Sequence, residues 1–408
     1  MTDDSTAAAR ASFDDAWKEY MQALEDCRRQ MLREPLAGRS PDMVAQIAYL
    51  TSSLAAHAHE YVMAPRSHYP MLYCMYPRLP SLPLLLPCPD FYYRESFLDG
   101  ARTYRIRGRR RTAHWESIQI QSGVFGADGA RKVAHLHFDE LRADADGRFE
   151  LTIGGPERPG NWMPLAPEAR SHHLLIRSAL VDWDRAEPSE LELQLADDAP
   201  REPHALSMEA IAARYRLMAR MIRFTTDNWN DADYAREALD AVGTNRFIQH
   251  AVTEKTMNRA GNPGNQTSFA VFDIGPDEAL IVESEVPVAR YWGVHMSDVW
   301  FQAADFVDHQ SSISCGQARL DADGRFRAVI AYRDPGVPNW LDPVGIRPGV
   351  VFFRYYWSDR HPLPTATRVP LARVREHLPR ETPVVTPVQR AEAIARRGAA
   401  ARRRLGRY

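Results

Sequence analysis

The sequence predicts an α+β protein with two β-sandwich domains of the jelly-roll type, produced by an internal duplication and each preceded by a helix pair. Three observations support this. The string Asp-Ala-Asp-Gly-Arg-Phe occurs twice, at residues 144–149 and 321–326. Two long stretches alternate apolar and polar residues between frequent turn signals, which is typical of short strands. Each stretch follows segments with the apolar spacing of amphipathic helices.

Two pairs of helices are predicted, one in each half of the chain. Apolar residues recur at three- and four-residue spacings, which places them on one side of a helix. Ser40-Pro41 and Ser207 have the residue types that begin helices, and Gly243 is typical of a helix end. Because short connections usually join antiparallel helices, we expect the members of each pair to pack together. The predicted helices cover residues 13–31, 41–61, 208–226 and 232–242.

The strand-rich stretches, residues 91–195 and 265–370, correspond to each other along their length. The offset between the copies is 177 residues at the repeated string and 178 residues at the pairs Asn161-Trp162 and Asn339-Trp340. A single long offset of this kind indicates a duplicated domain and not an array of short repeats.

A proline-rich segment precedes the first sandwich. Seven prolines between residues 65 and 89 exclude a regular helix or a central strand. We interpret this segment as an extended structural strap, with one wall of an apolar pocket as the alternative. The predicted units are a helix pair (1–62), the crossing segment with the first sandwich (63–205), a second helix pair (206–243), the second sandwich (244–378) and a basic C-terminal helix or tail (379–408).

Composition excludes several classes of protein. The 408 residues include 51 basic and 53 acidic side chains, so a globally basic nucleic-acid-binding protein is not expected. No apolar stretch is long enough to span a bilayer, and the four cysteines form no C-x-x-C pair. The N-terminus lacks the pattern of a secretory signal, which predicts a cytoplasmic location. A homodimer is left open.

The C-terminal segment is basic. Thr386-Pro387 has the residue types of a helix start, and seven arginines follow between residues 390 and 407. We expect a solvated face or a frayed end, with binding to an acidic partner as the alternative.

Four segments resemble a family of bacterial, often actinobacterial, proteins catalogued as a domain of unknown function. Their sequences are DGARTYRIRGRR (Asp99–Arg110), DADGRFELTIGGPERPGNWMPL (144–165), YWGVHMSDVWFQAADFVDHQSS (Tyr291–Ser312) and RDPGVPNWLD (Arg333–Asp342). The second copy departs from the family's Asn-Trp-Leu-Pro turn at Asp342. The resemblance implies paired jelly-roll-like sandwiches and brings no reaction with it.

A metal site is one hypothesis for the first sandwich. His135 and His137 are two residues apart on a predicted strand, so both imidazoles project from the same face. A divalent metal would need a further ligand, and no spacing selects one. A solvated or hydrogen-bonded pair is the alternative. The possible third ligands are His114, Asp139, Glu140, His172 and His173.

A general base is the main hypothesis for the second sandwich. His309 follows Asp305 and Asp308, and a carboxylate can hold an imidazole in the tautomer that accepts a proton. Asp298 and Trp300 precede this loop and contribute a carboxylate and an apolar surface for substrate. A hydrogen-bonded network that only stabilises the loop is the alternative.

Anion binding is assigned to residues near the second Asn-Trp pair. Arg333 and Asn339 have the side chains that bind an oxyanion. Because both copies carry the Asn-Trp pair, a role of Asn339 in shaping the turn is the alternative. Further candidate substrate-binding residues are His295, Trp340, Arg354 and Tyr356.

Two classes of function follow. The first is an enzyme that acts on a lipophilic small molecule by acid–base chemistry, without an expected cofactor, as a hydrolase, lyase or isomerase, at or beside the second sandwich. A metal-dependent enzyme that uses His135 and His137 is a variant of this class. The second class is a noncatalytic scaffold that binds a small molecule, a carbohydrate or a protein.

Overall fold

The structure, a computed structural model, describes residues 3–74, 84–124, 129–230, 232–250 and 264–406. Helices flank two β-sandwiches, as the sequence predicts. Ser40 and Ser207 cap their helices as expected, since their hydroxyls accept the amides of Met43 and Ala210. The helices are α1 (Asp3–Arg33), α2 (Pro41–Ala58), α3 (Met208–Thr225), α4 (Asp233–Val242) and α5 (Pro387–Leu405). Short helical turns cover Pro35–Arg39, His59–Met63, Phe138–Glu140, Thr226–Asn230 and Leu371–His377.

The first sandwich has a five-stranded sheet in the order β1-β2-β8-β4-β5 and a four-stranded sheet in the order β7-β6-β3-β9. The strands of the first sheet are β1 (Tyr73–Cys74), β2 (Phe91–Leu98), β4 (Trp115–Ser122), β5 (Arg131–His137) and β8 (His172–Ala179). Those of the second are β3 (Tyr104–Arg109), β6 (Arg148–Ile153), β7 (Trp162–Met163) and β9 (Glu190–Leu195).

The second sandwich repeats this topology strand for strand, with orders β10-β11-β17-β13-β14 and β16-β15-β12-β18. The identical orders confirm the duplication. Its five-stranded sheet contains β10 (Ile248–Gln249), β11 (Asn265–Phe272), β13 (Ala289–Asp298), β14 (Ser312–Ser314) and β17 (Gly349–Ser358). Its four-stranded sheet contains β12 (Glu278–Ser284), β15 (Phe326–Ile330), β16 (Trp340–Leu341) and β18 (Thr365–Pro370).

Each sandwich encloses an apolar core, and the helices cover the outer faces of the five-stranded sheets. Alternate residues such as Ile118 and Ile176 fill the first interior, whereas their neighbours face outward. Helix α1 packs mainly on α3 and less on α2, because Trp17 and Tyr20 contact Tyr215. Helices α1 and α2 therefore pack on each other as expected, but α1 packs more extensively on α3 of the second pair.

The C-terminal helix is docked, not frayed. Arg390, Arg397 and Arg404 lie seven residues apart on one face of α5, and the guanidinium groups of Arg397 and Arg404 lie 4.3 and 4.1 Å from the ring centroid of Trp183. Ala401 is fully buried between the sandwiches. The arginine run that the sequence suggested to be solvated thus supplies three largely buried stems, which snorkel along apolar surface.

The proline-rich crossing is described in part, because residues 75–83 lie outside the described residues. Leu86 exchanges backbone contacts with the second sandwich, where its amide binds the carbonyl of Phe301 and its carbonyl accepts from Arg354. This end of the segment therefore connects the two sandwiches. None of the helices in the described ranges has the length and apolar character needed to cross a membrane.

Candidate functional site

The outer face of the first five-stranded sheet carries polar side chains, most of them buried, beside apolar ones such as Phe97 and Leu175. We call it the polar face and define it by the polar outward side chains of four strands. These side chains alternate with the apolar residues of the sandwich interior. The fold does not require buried polar groups here, and their desolvation costs free energy. Its residues are Glu95, Ser117, Gln119, Gln121, His135, His137, His173 and Arg177.

Glu95 is the centre of a buried hydrogen-bonded cluster on this face. The hydroxyl of Tyr61 donates to Glu95 Oε2 over 2.5 Å, and Nε2 of His173 lies 2.9 Å from the same oxygen. All three side chains are buried. Burial, and then the neighbouring carboxylate, raise the pKa of Tyr61 well above its usual value, so the phenol keeps its proton. A carboxylate, an imidazole and a phenol in direct contact can pass a proton among them.

Tyr61 reaches the sheet from the π-helical turn His59–Met63 that follows α2. Such turns widen a helix by one residue and are frequent at functional sites. His57, one turn earlier, packs its ring 4.3 Å from that of Tyr61. Its Nε2 has no hydrogen-bond partner among the described residues, and burial lowers its pKa to about 4. His57 is therefore neutral near pH 7.

Arg177 lies beside this cluster on the central strand β8. Its Nη1 donates to Gln119 Oε1 over 3.0 Å. Its charge lowers the pKa of Tyr61, of Tyr93 and of Tyr356 against the larger effect of burial. A guanidinium surrounded by phenols can stabilise negative charge that develops on a bound molecule.

His135 and His137 share the polar face, as their spacing predicted. Their rings are 5.0 Å apart, and Trp357 packs 4.2 Å from the His137 ring. Burial, then His137, lower the pKa of His135 to about 4. His135 Nε2 and His137 Nδ1 have no hydrogen-bond partner in the described part of the chain. The described residues contain no group of three metal-ligating side chains. The pair of His135 and His137 would therefore supply only two of the ligands that a metal needs.

The second sandwich shows what the same fold carries at these positions. Strand pairing places Glu95 opposite Leu175, and in the second copy Phe269 opposite Phe352. By the same register Val350 corresponds to His173. Phe269 and Val350 are buried in an apolar cluster that the helices cover. One copy of the face is thus apolar where the other carries a carboxylate and an imidazole.

The loop expected to carry the general base is arranged differently from the expectation. Nδ1 of His309 lies 2.7 Å from Asp342, so the orienting carboxylate is neither Asp305 nor Asp308. Asp305 accepts the amides of Val307 and Asp308 within its own turn. The carboxylate of Asp308 binds Arg402 of α5 at 2.5 Å.

The expected oxyanion-binding pair is not assembled. Arg333 is exposed and pairs with Asp277. Asn339 accepts the amide of Arg319 at 3.0 Å and donates to two backbone carbonyls. Asn161 makes the same three bonds in the first copy, which supports the turn-shaping interpretation.

The remaining predicted residues lie in three places. Asp298 accepts the amides of Trp300 and Gln302, and burial raises its pKa to about 7. Trp300 itself is buried against the helices. Trp340 donates to the carbonyl of Ala331 beneath Arg390. These contacts stabilise loops of the second sandwich and do not converge with His309.

His295, Arg354 and Tyr356 face the junction of the sandwiches. Nε of Arg354 donates to Nε2 of His295 over 3.1 Å. Tyr356 packs edge-on against Phe91 of the first sheet, with centroids 5.2 Å apart. An open groove of about 670 Å³ also lies at this junction, beside α5, and Asn339 contributes to its wall.

Sequence reasoning missed Glu95, His173 and Arg177 as a group. The available signal was the polar residue at every second position of strands whose other positions are apolar, as in Ile118–Gln121. An exposed sheet face gives the same alternation, so the pattern could not show that helices bury it.

Comparison with known proteins defines the fold. No family model matches the sequence. No curated protein matches it either. The structure is similar to that of an uncharacterized protein from Burkholderia cenocepacia, with 24% sequence identity and a TM-score of 0.79 over 89% of this chain and 99% of that chain. The VPA0106 protein from Vibrio parahaemolyticus is 11% identical over 78% of this chain and 96% of its own, with a TM-score of 0.42. The first similarity shows that the duplicated-sandwich fold extends over nearly the whole chain.

Proposed function

We propose that this protein is an enzyme that acts on a lipophilic small molecule by acid–base chemistry, and that the reaction takes place at the polar face. The observation that carries this proposal is the difference between the copies. Glu95 and His173 occupy positions where the second copy has Phe269 and Val350. Because apolar residues occupy the equivalent positions of the second copy, the sandwich fold itself does not demand a polar pair there, and we assign the pair to chemistry.

The cluster suggests a role for each side chain. With Nε2 directed at Glu95, His173 would exchange a proton with substrate or water through Nδ1, and Glu95 would stabilise the imidazolium that forms. Tyr61, which keeps its proton, would return one to the product. Arg177 would bind the oxygen on which negative charge develops. The proton removed in the first step is restored in the last, as in a hydrolase, lyase or isomerase.

The Glu95→Gln variant tests this proposal. The amide keeps an oxygen for Tyr61 but cannot stabilise an imidazolium, so turnover should fall by roughly 10²- to 10⁴-fold. The assay follows consumption of lipophilic esters, lactones and acids by mass spectrometry. Glu168→Gln, at an exposed glutamate paired with Arg131, is the matched control. Wild-type turnover in Glu95→Gln would contradict the proposal, and ligand binding without any turnover would favour a noncatalytic binding protein.

A metal-dependent enzyme is the second candidate, because two imidazole nitrogens at His135 and His137 lack hydrogen-bond partners among the described residues. Two of its ligands would come from this pair, and the metal would activate water or polarise a carbonyl. Thermal stabilisation by Zn²⁺ or Mn²⁺ that is lost in His135→Ala would support this candidate. No stabilisation in the wild type would count against it.

We also propose the finer features that the sequence suggests. These are a cytoplasmic location, no nucleic-acid partner, a homodimer, and membership of the family of unknown function that the four segments resemble. The near-balanced charge supports the second of these. Size-exclusion chromatography with light scattering tests the homodimer.

A further inference from the structure

The second sandwich contributes a side chain to the polar face of the first. The indole of Trp357, near the end of β17, has its ring centroid 4.2 Å from that of His137 and 6.0 Å from that of His135. It also meets Trp115 of the first sheet edge-on, with centroids 5.2 Å apart. Trp357 and both histidines are half-buried, so part of the surface that they form is open to solvent.

The backbone of Trp357 is strained. Its φ angle of 47° lies in the left-handed region, which bulky residues avoid because Cβ comes too close to the following carbonyl oxygen. Such a conformation costs free energy and persists only where the surrounding structure holds it. Residues strained in this way are concentrated at binding and catalytic sites. The strain therefore indicates that the position of the indole is specifically maintained.

Gly264 makes room for the indole. It lies directly before β11, and its carbonyl accepts the amide of Trp357 over 3.0 Å. A methyl group added at Gly264 would lie 2.6 Å from Nε1 of the indole, which is closer than two such atoms can approach. Any side chain at this position would therefore push the ring out of its place.

The first sandwich keeps the same backbone contact without the strain. By strand register, Asp90 corresponds to Gly264 and Leu180 corresponds to Trp357. The amide of Leu180 donates to the carbonyl of Asp90 over 2.8 Å, but Leu180 is not among the residues with a positive φ angle. The sandwich fold itself therefore does not demand a strained tryptophan at this place.

The surroundings of the indole are aromatic on one side and polar on the other. Phe91 lies 5.0 Å from Trp115 and 5.2 Å from Tyr356, between ring centroids, so these rings form one aromatic group. On the other side, Nε2 of His135 and Nδ1 of His137 have no hydrogen-bond partner in the described part of the chain. The charged neighbours of the two histidines are Arg177, Lys132, Arg290, Asp139 and Glu140.

We propose that Trp357 is a specificity-determining residue that binds an aromatic ring of the substrate on the polar face. Two aromatic rings attract each other through the negative face of one and the positive edge of the other, in addition to the apolar area that they bury. The indole would therefore favour a substrate with an aromatic ring over one with a saturated ring. This inference rests on the proposed function, because it names the class of lipophilic substrate on which Glu95 and His173 would act.

Ligand-observed NMR titration of the full-length protein tests this preference. The probes are benzamide and cyclohexanecarboxamide, which carry the same amide group on an aromatic and on a saturated six-membered ring. Because the saturated ring is the more apolar of the two, burial of apolar surface alone favours cyclohexanecarboxamide. Benzamide should nevertheless bind the wild type about three- to tenfold more tightly. Equal affinities, tighter binding of cyclohexanecarboxamide, or no binding of either probe would overturn the proposal.

Two variants test whether Trp357 causes the preference. Trp357→Asn removes the indole and introduces a residue that tolerates the left-handed backbone. Gly264→Ala keeps the indole but displaces it. Each variant should lose the preference for benzamide, and a preference that persists in either would overturn the proposal. The controls are Trp17→Gln, at a tryptophan that is 44% exposed on α1, and Gly38→Ala, where an added methyl group meets open space; both should keep the wild-type preference.

The aromatic preference and the reaction site fail in different ways. Glu95→Gln should keep the preference for benzamide while losing turnover. If Glu95→Gln keeps its turnover and Trp357→Asn loses the preference, the role of Trp357 stands and the proposed reaction site falls. If turnover depends on Glu95 and the preference does not depend on Trp357, the role of Trp357 falls alone.

Discussion

At the residue scale, burial sets the protonation state of several side chains. Burial lowers the pKa of His57 to about 4 and raises that of Asp298 to about 7. An imidazole whose pKa falls on folding binds more protons in the unfolded chain. The contribution of neutral His57 to stability is therefore complete above pH 6.5 and is lost as the pH falls towards 4. Asp298 has the opposite sign, because its contribution is complete below pH 3.8 and is lost as the pH rises through about 7.

His57→Phe tests this dependence. The wild type should lose about 3 kcal/mol of unfolding free energy from His57 between pH 7 and pH 4, and the variant should lack this part of the loss. Urea denaturation at several pH values measures it, with the exposed His377→Phe as the control. A His57→Phe profile parallel to that of the wild type would show that folding leaves the pKa of His57 unchanged, and would contradict this expectation.

At the element scale, the Asn-Trp turn is a structural unit that both copies keep. The side chain of Asn339 forms three hydrogen bonds with the backbone, two with Arg319 and one with Arg327. The pairing of β15 with β16 follows directly from this turn. The sequence offered this turn as the alternative to oxyanion binding, because both copies carry the pair at nearly the same offset. The structure explains the asparagine, since its side chain both accepts from and donates to the backbone.

Asn339→Ala should reduce the unfolding free energy by about 2–4 kcal/mol, because Asn339 is 8% exposed and its loss leaves backbone groups unpaired. Turnover should be unchanged at a temperature where the variant is folded. Urea denaturation measures the stability, and the mass-spectrometric assay measures the turnover. Loss of turnover in the folded variant would instead support a role of Asn339 in oxyanion binding.

At the scale of the whole molecule, much of the fold could be predicted from the sequence. The repeated string at 144–149 and 321–326 indicated two copies, and Ser40 and Ser207 located helix starts. The packing of α1 on α3 could not be predicted, because an apolar stripe shows which side of a helix is buried but not which partner buries it. The sequence placed the expected site at the second sandwich, because aromatic residues are frequent there. Which elements bury those aromatic residues could not be predicted either.

The candidate site was predictable only in part. The spacing of His135 and His137 placed both on one face, as the structure has them. Glu95 and His173 are far apart in the sequence and meet only through the pairing of β2 with β8. Tyr61 joins them from a helix that no local pattern connects to this sheet. The cluster is created by long-range strand pairing and by helix docking. No short sequence motif indicates either of them.

The central claim is that the polar face serves chemistry and not folding. The most direct test is the unfolding free energy, by urea denaturation, of the triple variant Tyr61→Phe/Glu95→Phe/His173→Val, which copies the residues of the second sandwich at two positions. Because Tyr61, Glu95 and His173 are replaced together, the hydrogen bonds among these three side chains leave no partner unpaired. We predict a stability equal to that of the wild type or higher by about 1–4 kcal/mol. A loss of more than about 3 kcal/mol would show that the cluster holds the fold together, and would contradict the account.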